Sequence, residues 1–435
     1  MSKRPNIVFI MADDLGYADV GCYGRPELST PNIDRIAASG VRLTQGYANS
    51  AVCSATRLAL ITGRYQYRLP LGLEEPLAGK TDVGLPPDHP TLPSLLLQAG
   101  YGTALVGKWH LGVPPRFGPM KSGYQHFFGI RSGAADYYSH QNTRGVHDLW
   151  DGDEPVHPSG YMTDLLGDHA VTTIDGHARR DRPFLLSLHF NAPHWPWEAP
   201  GDRAESDRLR GSNLRHYDGG TQRTYFRMIQ AMDLQIGRVL QALDANRLAD
   251  DTIVIFTSDN GGERFSDTWP FTGIKTELLE GGLRVPKLIR WPARIPAGQV
   301  SDQVAITMDW FPTLLEAAGA TSAAGYQPDG ISLLPMLTGQ QAPVRRKLFW
   351  RYKTNAQRAL RDGDYKYLKI RDNSFLFDVV ADPRERANLW DRQPDLAKNL
   401  VAEWQAWNAT MLPEIPDSAA EMYTAAQLAD HVGLA

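Results

Sequence analysis

Cysteine is nearly absent: Cys22 and Cys53 are the only two in 435 residues. That excludes a disulfide framework, since the two can pair only with each other. No apolar run is long enough to cross a bilayer. The N-terminal run over residues 6–12 is far short of the ~20 residues a membrane helix needs. That run lacks a signal-peptide cleavage pattern and is better used as a first strand. As written the chain reads as cytoplasmic; a signal removed ahead of it would make the protein periplasmic or secreted. Nor is there a basic excess. Lys plus Arg number 45 against 49 Asp plus Glu, a net charge of -4 with no basic stripe, so neither nucleic acid nor membrane is an expected partner. Internal repeats and low-complexity linkers are missing too.

What is present is the α/β pattern: short apolar runs alternating with segments of helical period. The length suits ~2–3 domains, or one large α/β domain with an appendage. A chain of this size buries roughly three quarters of its unfolded surface and needs no staples. Residues 7–11, 103–106, 184–190 and 252–257 read as buried strands. A helix is expected over residues 30–40, capped by Thr30, with Pro31 in its first turn and Gly40 as its stop. The same logic recurs over 91–100 and 309–319, and 221–248 reads as a longer amphipathic helix. The polar stretch 201–220 reads as a surface loop. From about Arg346 the texture changes to short strands, 348–352, 357–361, 365–370 and 375–379, followed by a helix over 394–411. The expected fold is a large, mostly parallel mixed sheet sandwiched by helices, residues 1–345. A smaller C-terminal antiparallel sheet plus helix, 346–435, completes it.

All four predicted strands of the large domain end in polar clusters: Asp13–Asp14, Lys108–Trp109–His110, Asn191 to His194, and Ser258–Asp259–Asn260. Ligands of open α/β sheets bind beyond the carboxyl ends of the strands. One such cluster reads as a turn; four together point to one site. Asp13, Asp14, Asp259 and Asn260 offer only oxygen, a set that suits calcium or magnesium rather than zinc. Lys108 and Lys275 are candidates to grip an anion, and His110 and His194 to move protons near neutral pH. Residues 102–108 do not form a P-loop, because the spacing is wrong and Trp109 stands where Ser or Thr would bind magnesium. His140 is a candidate for the substrate rim. Trp195, Trp197 and Glu198 either line a sugar or aryl subsite or pack their loop.

The most informative segment is Ser50 to Arg64, which holds Cys53-Ser54-Ala55-Thr56-Arg57. It resembles the signature of the type I, formylglycine-dependent sulfatases of the alkaline-phosphatase-like superfamily, Cys-x-Pro/Ala-x-Arg. The blocks 6–14, 107–112, 192–197, 257–262 and 273–286 resemble further family blocks in family order. The chain as a whole resembles arylsulfatase A/B-type members, and the stretch 127–140 is most similar to the arylsulfatase B branch, whose members act on sulfated sugars. Proline is commonest at the third motif position, and Ala55 is an accepted variant. The resemblance implies that a formylglycine-generating maturation enzyme oxidises Cys53 to an aldehyde whose hydrate is a geminal diol. One hydroxyl attacks sulfur and the other later helps to expel sulfate. It implies calcium, in preference to magnesium, on Asp13, Asp14, residue 53, Asp259 and Asn260. Asp259 would help to deprotonate the attacking hydroxyl. Arg57, Lys108 and His110 would hold and activate the hydrate. Lys108, His194 and Lys275 would bind the sulfate, and His194 would protonate the departing alcohol. The expected function is hydrolysis of a sulfate monoester, of a sulfated carbohydrate or an aryl alcohol. The rivals are a phosphonate monoester or phosphate diester hydrolase of the same superfamily, and a non-catalytic sulfoglycan-binding relative.

Overall fold

The computed structural model describes residues 4–180 and 182–429. Residues 1–3, 181 and 430–435 lie outside the described residues. Ten strands form one mixed sheet. Its centre is parallel, in the order Thr252–Ser258, Asn6–Ala12, Phe184–His189, Gly102–Gly107. His126–Gly129 continues the parallel run, while Lys287–Arg290 pairs antiparallel with Thr252–Ser258. The four central strands are the four expected from the sequence, three of them extended by a residue or two and the fourth, Phe184–His189, one residue shorter.

Side chains alternate across a strand, so a strand buried on both faces serves two cores. Val8, Ile10 and Ala12 pack under the helices Pro31–Ala38, Met162–Ala178 and Gln222–Ala245. Ile7, Phe9 and Met11 pack under Cys53–Thr62, Leu92–Gln98 and Trp310–Ala317. The helix Met162–Ala178 escapes the sequence reading.

Thr91 and Thr221 cap their helices, accepting from Ser94 N and Thr224 N. Thr30 does not. Its hydroxyl accepts from Gly21 N at 2.9 Å, and the free amides of Asn32 and Ile33 go instead to Asp233 Oδ1, on a neighbouring helix. A buried carboxylate from elsewhere in the fold has taken over the local cap.

The stretch 201–220 is not a plain surface loop. It contains the helix Arg203–Leu209, and Leu209, Leu214 and His216 are buried. Its charged residues face water while the two leucines anchor it in the core beside Trp195 and Trp197.

Four antiparallel strands, Lys347–Tyr352, Gln357–Asp362, Tyr365–Ile370 and Asn373–Asp378, form a second sheet in chain order. One face packs through Trp350, Leu368 and Phe377 against Tyr47 and Ile306, which belong to a separate two-stranded sheet, and against Ala55 of the helix Cys53–Thr62. The other carries the helix Pro394–Asn408 on Leu360, Tyr367 and Leu376. Among the described residues no helix is long and apolar enough to cross a membrane.

Candidate active site

Because the central strands are parallel, the segments that follow them share one edge of the sheet. Hydrogen bonds carry the register beyond the strand ends: Asp259 N to Ala12 O at 3.3 Å, Asp13 N to Ala192 O at 3.1 Å, Lys108 N to His189 O at 2.8 Å. Gly107 permits the last of these. Its φ is +117°, and a Cβ there would stand 1.8 Å from the His189 carbonyl oxygen.

The helix Cys53–Thr62 points its N-terminus at this edge and is buried throughout. Arg57, one turn from Cys53, donates through Nε and Nη2 to Asp259 Oδ2 at 3.0 and 2.7 Å, and through Nη1 to Lys108 O at 3.2 Å. Lys108 Nζ donates to Asp13 Oδ2 at 2.6 Å, and Lys275 Nζ to Asp14 Oδ2 at 2.8 Å. Asn260 Nδ2 donates to Asp14 Oδ1 at 2.7 Å. Three carboxylates and three cations thus interlock, none more than 2% exposed.

Two oxygens stand outside this exchange. Asp13 Oδ1 and Asn260 Oδ1 are buried and accept no hydrogen bond. An unmet buried acceptor is costly. Burial raises Asp13 and Asp14 above the usual carboxylate range, against the pull of Lys108 and Lys275. Burial acts on Asp259 in the same sense, but Arg57 and Lys108 overcome it and hold that carboxyl low. Asp13, Cys53 and Asp259 can turn ligand atoms to within 4.8 Å of one another, as can Asp13, Asp14 and His194. A divalent cation fits here: acidic oxygens dominate the donor set, and the two unmet acceptors are oxygens.

The two histidines are fixed by backbone carbonyls. His110 Nε2 lies 2.8 Å from Leu77 O and can only donate to it, which leaves Nδ1 as the acceptor, 3.3 Å from Cys53 Sγ. His194 Nδ1 donates to Trp195 O at 2.7 Å, which leaves Nε2 as the acceptor, 3.5 Å from Lys275 Nζ. Burial, then Lys108 beside His110 and Lys275 beside His194, push both well below the usual imidazole range. Burial pushes the Cys53 thiol up to about 11. As a thiol it is a poor nucleophile at neutral pH. Asp14, His110 and Thr276 have left-handed backbone, φ 61°, 58° and 74°. Such strain costs on the order of 1–3 kcal/mol per residue and clusters at functional sites.

A cleft of about 400 Å³ opens above these groups, with Cys53, His110, His194 and Lys275 at its floor. His140 does not line it. That residue is 2% exposed with its ring toward His147, and the rim is formed by the next residues, Asn142 to Arg144. Trp195 lines the cleft, whereas Trp197 and Glu198 are buried in the loop's packing. Cys22 and Cys53 are both free. Sequence reading missed Glu421 and Arg215, which also line the cleft. Neither sits in a motif or at a strand end, so only the folded chain reveals them.

A family model for sulfatases matches residues 5–320. The chain belongs to the sulfatase family. A second model, N-sulphoglucosamine sulphohydrolase C-terminal, matches residues 274–407 of the sulfatase. The N-acetylgalactosamine-6-sulfatase of Canis lupus familiaris is 33% identical over 389 residues, covering 84% of this chain and 71% of that one. Arylsulfatase A of Homo sapiens is 32% identical over 437 residues, covering 92% and 82%. The solved structure of Ps i-CgsB in complex with k-i-k-neocarrahexaose has a TM-score of 0.85 at 30% identity, covering 99% and 98%. The phosphonate monoester hydrolase of Agrobacterium radiobacter, at TM-score 0.66 and 21% identity, is alike in fold alone. The protein is a sulfuric ester hydrolase.

Proposed function

We propose that this sulfatase cleaves a sulfate monoester of a carbohydrate, with residue 53 matured to formylglycine and calcium held by Asp13, Asp14, Asp259, Asn260 and residue 53. The observation that carries the reading is Cys53 at a buried helix N-terminus, against His110 Nδ1 and the interlocked acids. Burial leaves the unmodified thiol a poor nucleophile, its pKa raised to about 11. The unmet oxygens of Asp13 and Asn260 are the motive for a hard cation. Hydrated formylglycine supplies a hydroxyl nucleophile, and the cation supplies positive charge against an anionic substrate oxygen.

The chain's own residues do the rest. Lys108 and Lys275 each spend a donor on a carboxylate and keep others for the sulfate oxygens. Preorganised donors of this kind are worth roughly 2.7–4 kcal/mol each in the transition state. His110 Nδ1 takes a proton from the group at position 53, because its other nitrogen is committed to Leu77. Asp259, kept ionised by Arg57 and Lys108, is the second base beside it. His194 Nε2 faces the cleft, where the negative charge of a bound sulfate would raise its pKa and let it protonate the departing alcohol.

The test is mass spectrometry of the tryptic peptide 43–57, from protein made with a formylglycine-generating enzyme, paired with hydrolysis of aryl sulfate and aryl phosphodiester. An aldehyde at position 53 and preference for the sulfate are expected. A persistent thiol in fully active protein sinks the mechanism.

A further inference from the structure

The C-terminal segment returns to the cleft as a strap. Ala420 bridges Glu75 in parallel, Glu75 N donates to Ala419 O, and Glu421 N donates to Glu75 O at 2.7 Å. The Glu421 carbonyl accepts from Tyr352 Oη at 2.7 Å and from Thr354 Oγ1 at 3.2 Å. With its backbone so pinned, Glu421 can aim only a short way. Its Oε2 lies 3.7 Å from Lys275 Nζ and its Oε1 3.5 Å from an Arg215 amine. Both distances are long for a hydrogen bond. Lys275 already has its close partner in Asp14, so Glu421 is not needed to neutralise it.

An ionised carboxylate accepts at about four lone pairs. Glu421 lines the cleft with that capacity largely unused, and Arg215 beside it brings unused donors. The pair stands next to Lys275, which is 3.5 Å from His194 Nε2, the atom proposed to protonate the leaving alcohol. An acceptor beside a donor matches hydroxyls on neighbouring ring carbons of a sugar. An aryl alcohol has no such groups to offer. Residue 421 also lies beyond the residues either family model matches, in a rim segment of the kind where specificity resides.

We infer that Glu421, with Arg215, determines specificity: its carboxylate accepts a hydrogen bond from a substrate hydroxyl next to the sulfated carbon. The substrate is then a sulfated sugar ring with a free neighbouring hydroxyl. This rests on the proposed function.

The experiment compares kcat/KM for 4-nitrophenyl sulfate with that for the 4-sulfates of galactose and N-acetylgalactosamine, whose C3 hydroxyl adjoins the sulfated carbon, in aldehyde-bearing wild type, Glu421→Ala and Glu421→Gln. At least one sugar sulfate should be preferred by wild type. Glu421→Ala should cut that preference by roughly 10- to 100-fold, the effect of one hydrogen bond to a charged group. Glu421→Gln, which keeps an acceptor, should restore part of it. Equal losses on sugar and aryl sulfate would make Glu421 a support for Lys275 and overturn the inference, as would a wild type that prefers no sugar. Calorimetry with the same sugar sulfates on Cys53→Ala protein, with and without Glu421→Ala, reads the contact without turnover. Weaker sugar binding in the double variant supports the inference even if the nucleophile reading fails; identical binding overturns it.

Discussion

Two buried clusters of charge are built from the same residue types and end in opposite states. At the carboxyl edge of the large sheet, Asp13, Asp14 and Asp259 meet Arg57, Lys108 and Lys275. Between the two sheets, Glu280 meets Lys366 at 2.9 Å, Tyr47 Oη at 2.6 Å and Arg284. Lys366 also pairs with Glu385 at 2.9 Å, and Arg361 reaches Tyr47. In the second cluster both Glu280 oxygens have donors, and the charges tie Lys366 of the small sheet to the helix Glu280–Leu283 of the large domain. In the first, two oxygens are left without donors and the histidine acceptors face a cleft. Buried ions are costly unless paired. In the closed cluster Glu280 is fully met and holds the fold, with Arg284 Nη2 left without a hydrogen bond and Glu385 Oε1 held by the Lys366 charge alone; the open one leaves acceptor oxygens for what it binds.

The comparison breaks first at Cys53. Cys53→Ala should lower kcat by about 10⁴-fold or more, the scale of losing a nucleophile. In metal-free protein its melting temperature should match wild type, because residue 53 does not hold the sheets together. Near-normal turnover in aldehyde-free variant protein would end the mechanism. The closed cluster should answer in the reverse way. Glu280→Gln leaves Lys366 and Arg284 short of a buried counter-charge, and stability should fall by about 3–5 kcal/mol. Turnover per folded molecule should stay at the wild-type level. Chemical denaturation together with active-fraction kinetics reads both quantities, and a Glu280→Gln protein that is stable but inactive would erase the distinction.

Most of the open cluster was readable in sequence because Asp13, Asp14, Lys108 and Asp259 follow predicted strands, so counting along the chain already put the acids, Lys108 and His194 at one edge. Cys53 and Arg57 were legible as a motif one helical turn long. The closed cluster was not legible: Glu280 and Lys366 are 86 residues apart, one on the short helix Glu280–Leu283 and the other on the small sheet, and no local pattern marks either. Glu421 was hidden for the same reason, its meaning resting on a strap paired with Glu75. His140 shows the opposite failure, a polar residue in a suggestive stretch that the hairpin turns inward. Thr30 lost its expected cap to Asp233, a tertiary partner that outcompeted the local hydroxyl.

A cation sharpens the contrast further. Calcium titrated into metal-free protein should raise the melting temperature, with stabilisation of about 2.7 kcal/mol at a hundredfold excess over Kd. Asp13→Asn should weaken that response, while Glu280→Gln should leave it in place on a lower baseline. A response to calcium that survives Asp13→Asn undiminished would put the ion elsewhere.

The closed cluster also carries a pH signature of its own. Burial would raise Glu280, but Lys366, Arg284 and Arg361 overcome it and hold the carboxyl well below its ordinary 4.5. Burial raises Glu385 to about 7, against Lys366 and with Glu280 adding to the rise. For Glu280 the unfolded chain takes up a proton first, so its contribution is present above about 4.5 and is lost as pH falls below that. For Glu385 the folded state holds the proton longer. Its contribution is present below about 4.5 and is lost as pH rises toward 7. Each limb is worth at most about 1.4 kcal/mol per pH unit, the value of one proton. Subtracting the stability curve of Glu385→Gln from wild type should therefore give a difference that declines between pH 4.5 and 7. The Glu280→Gln difference should instead decline on going acid of 4.5. Limbs of the opposite sign would mean that Lys366 is shared between the two carboxylates in the other order.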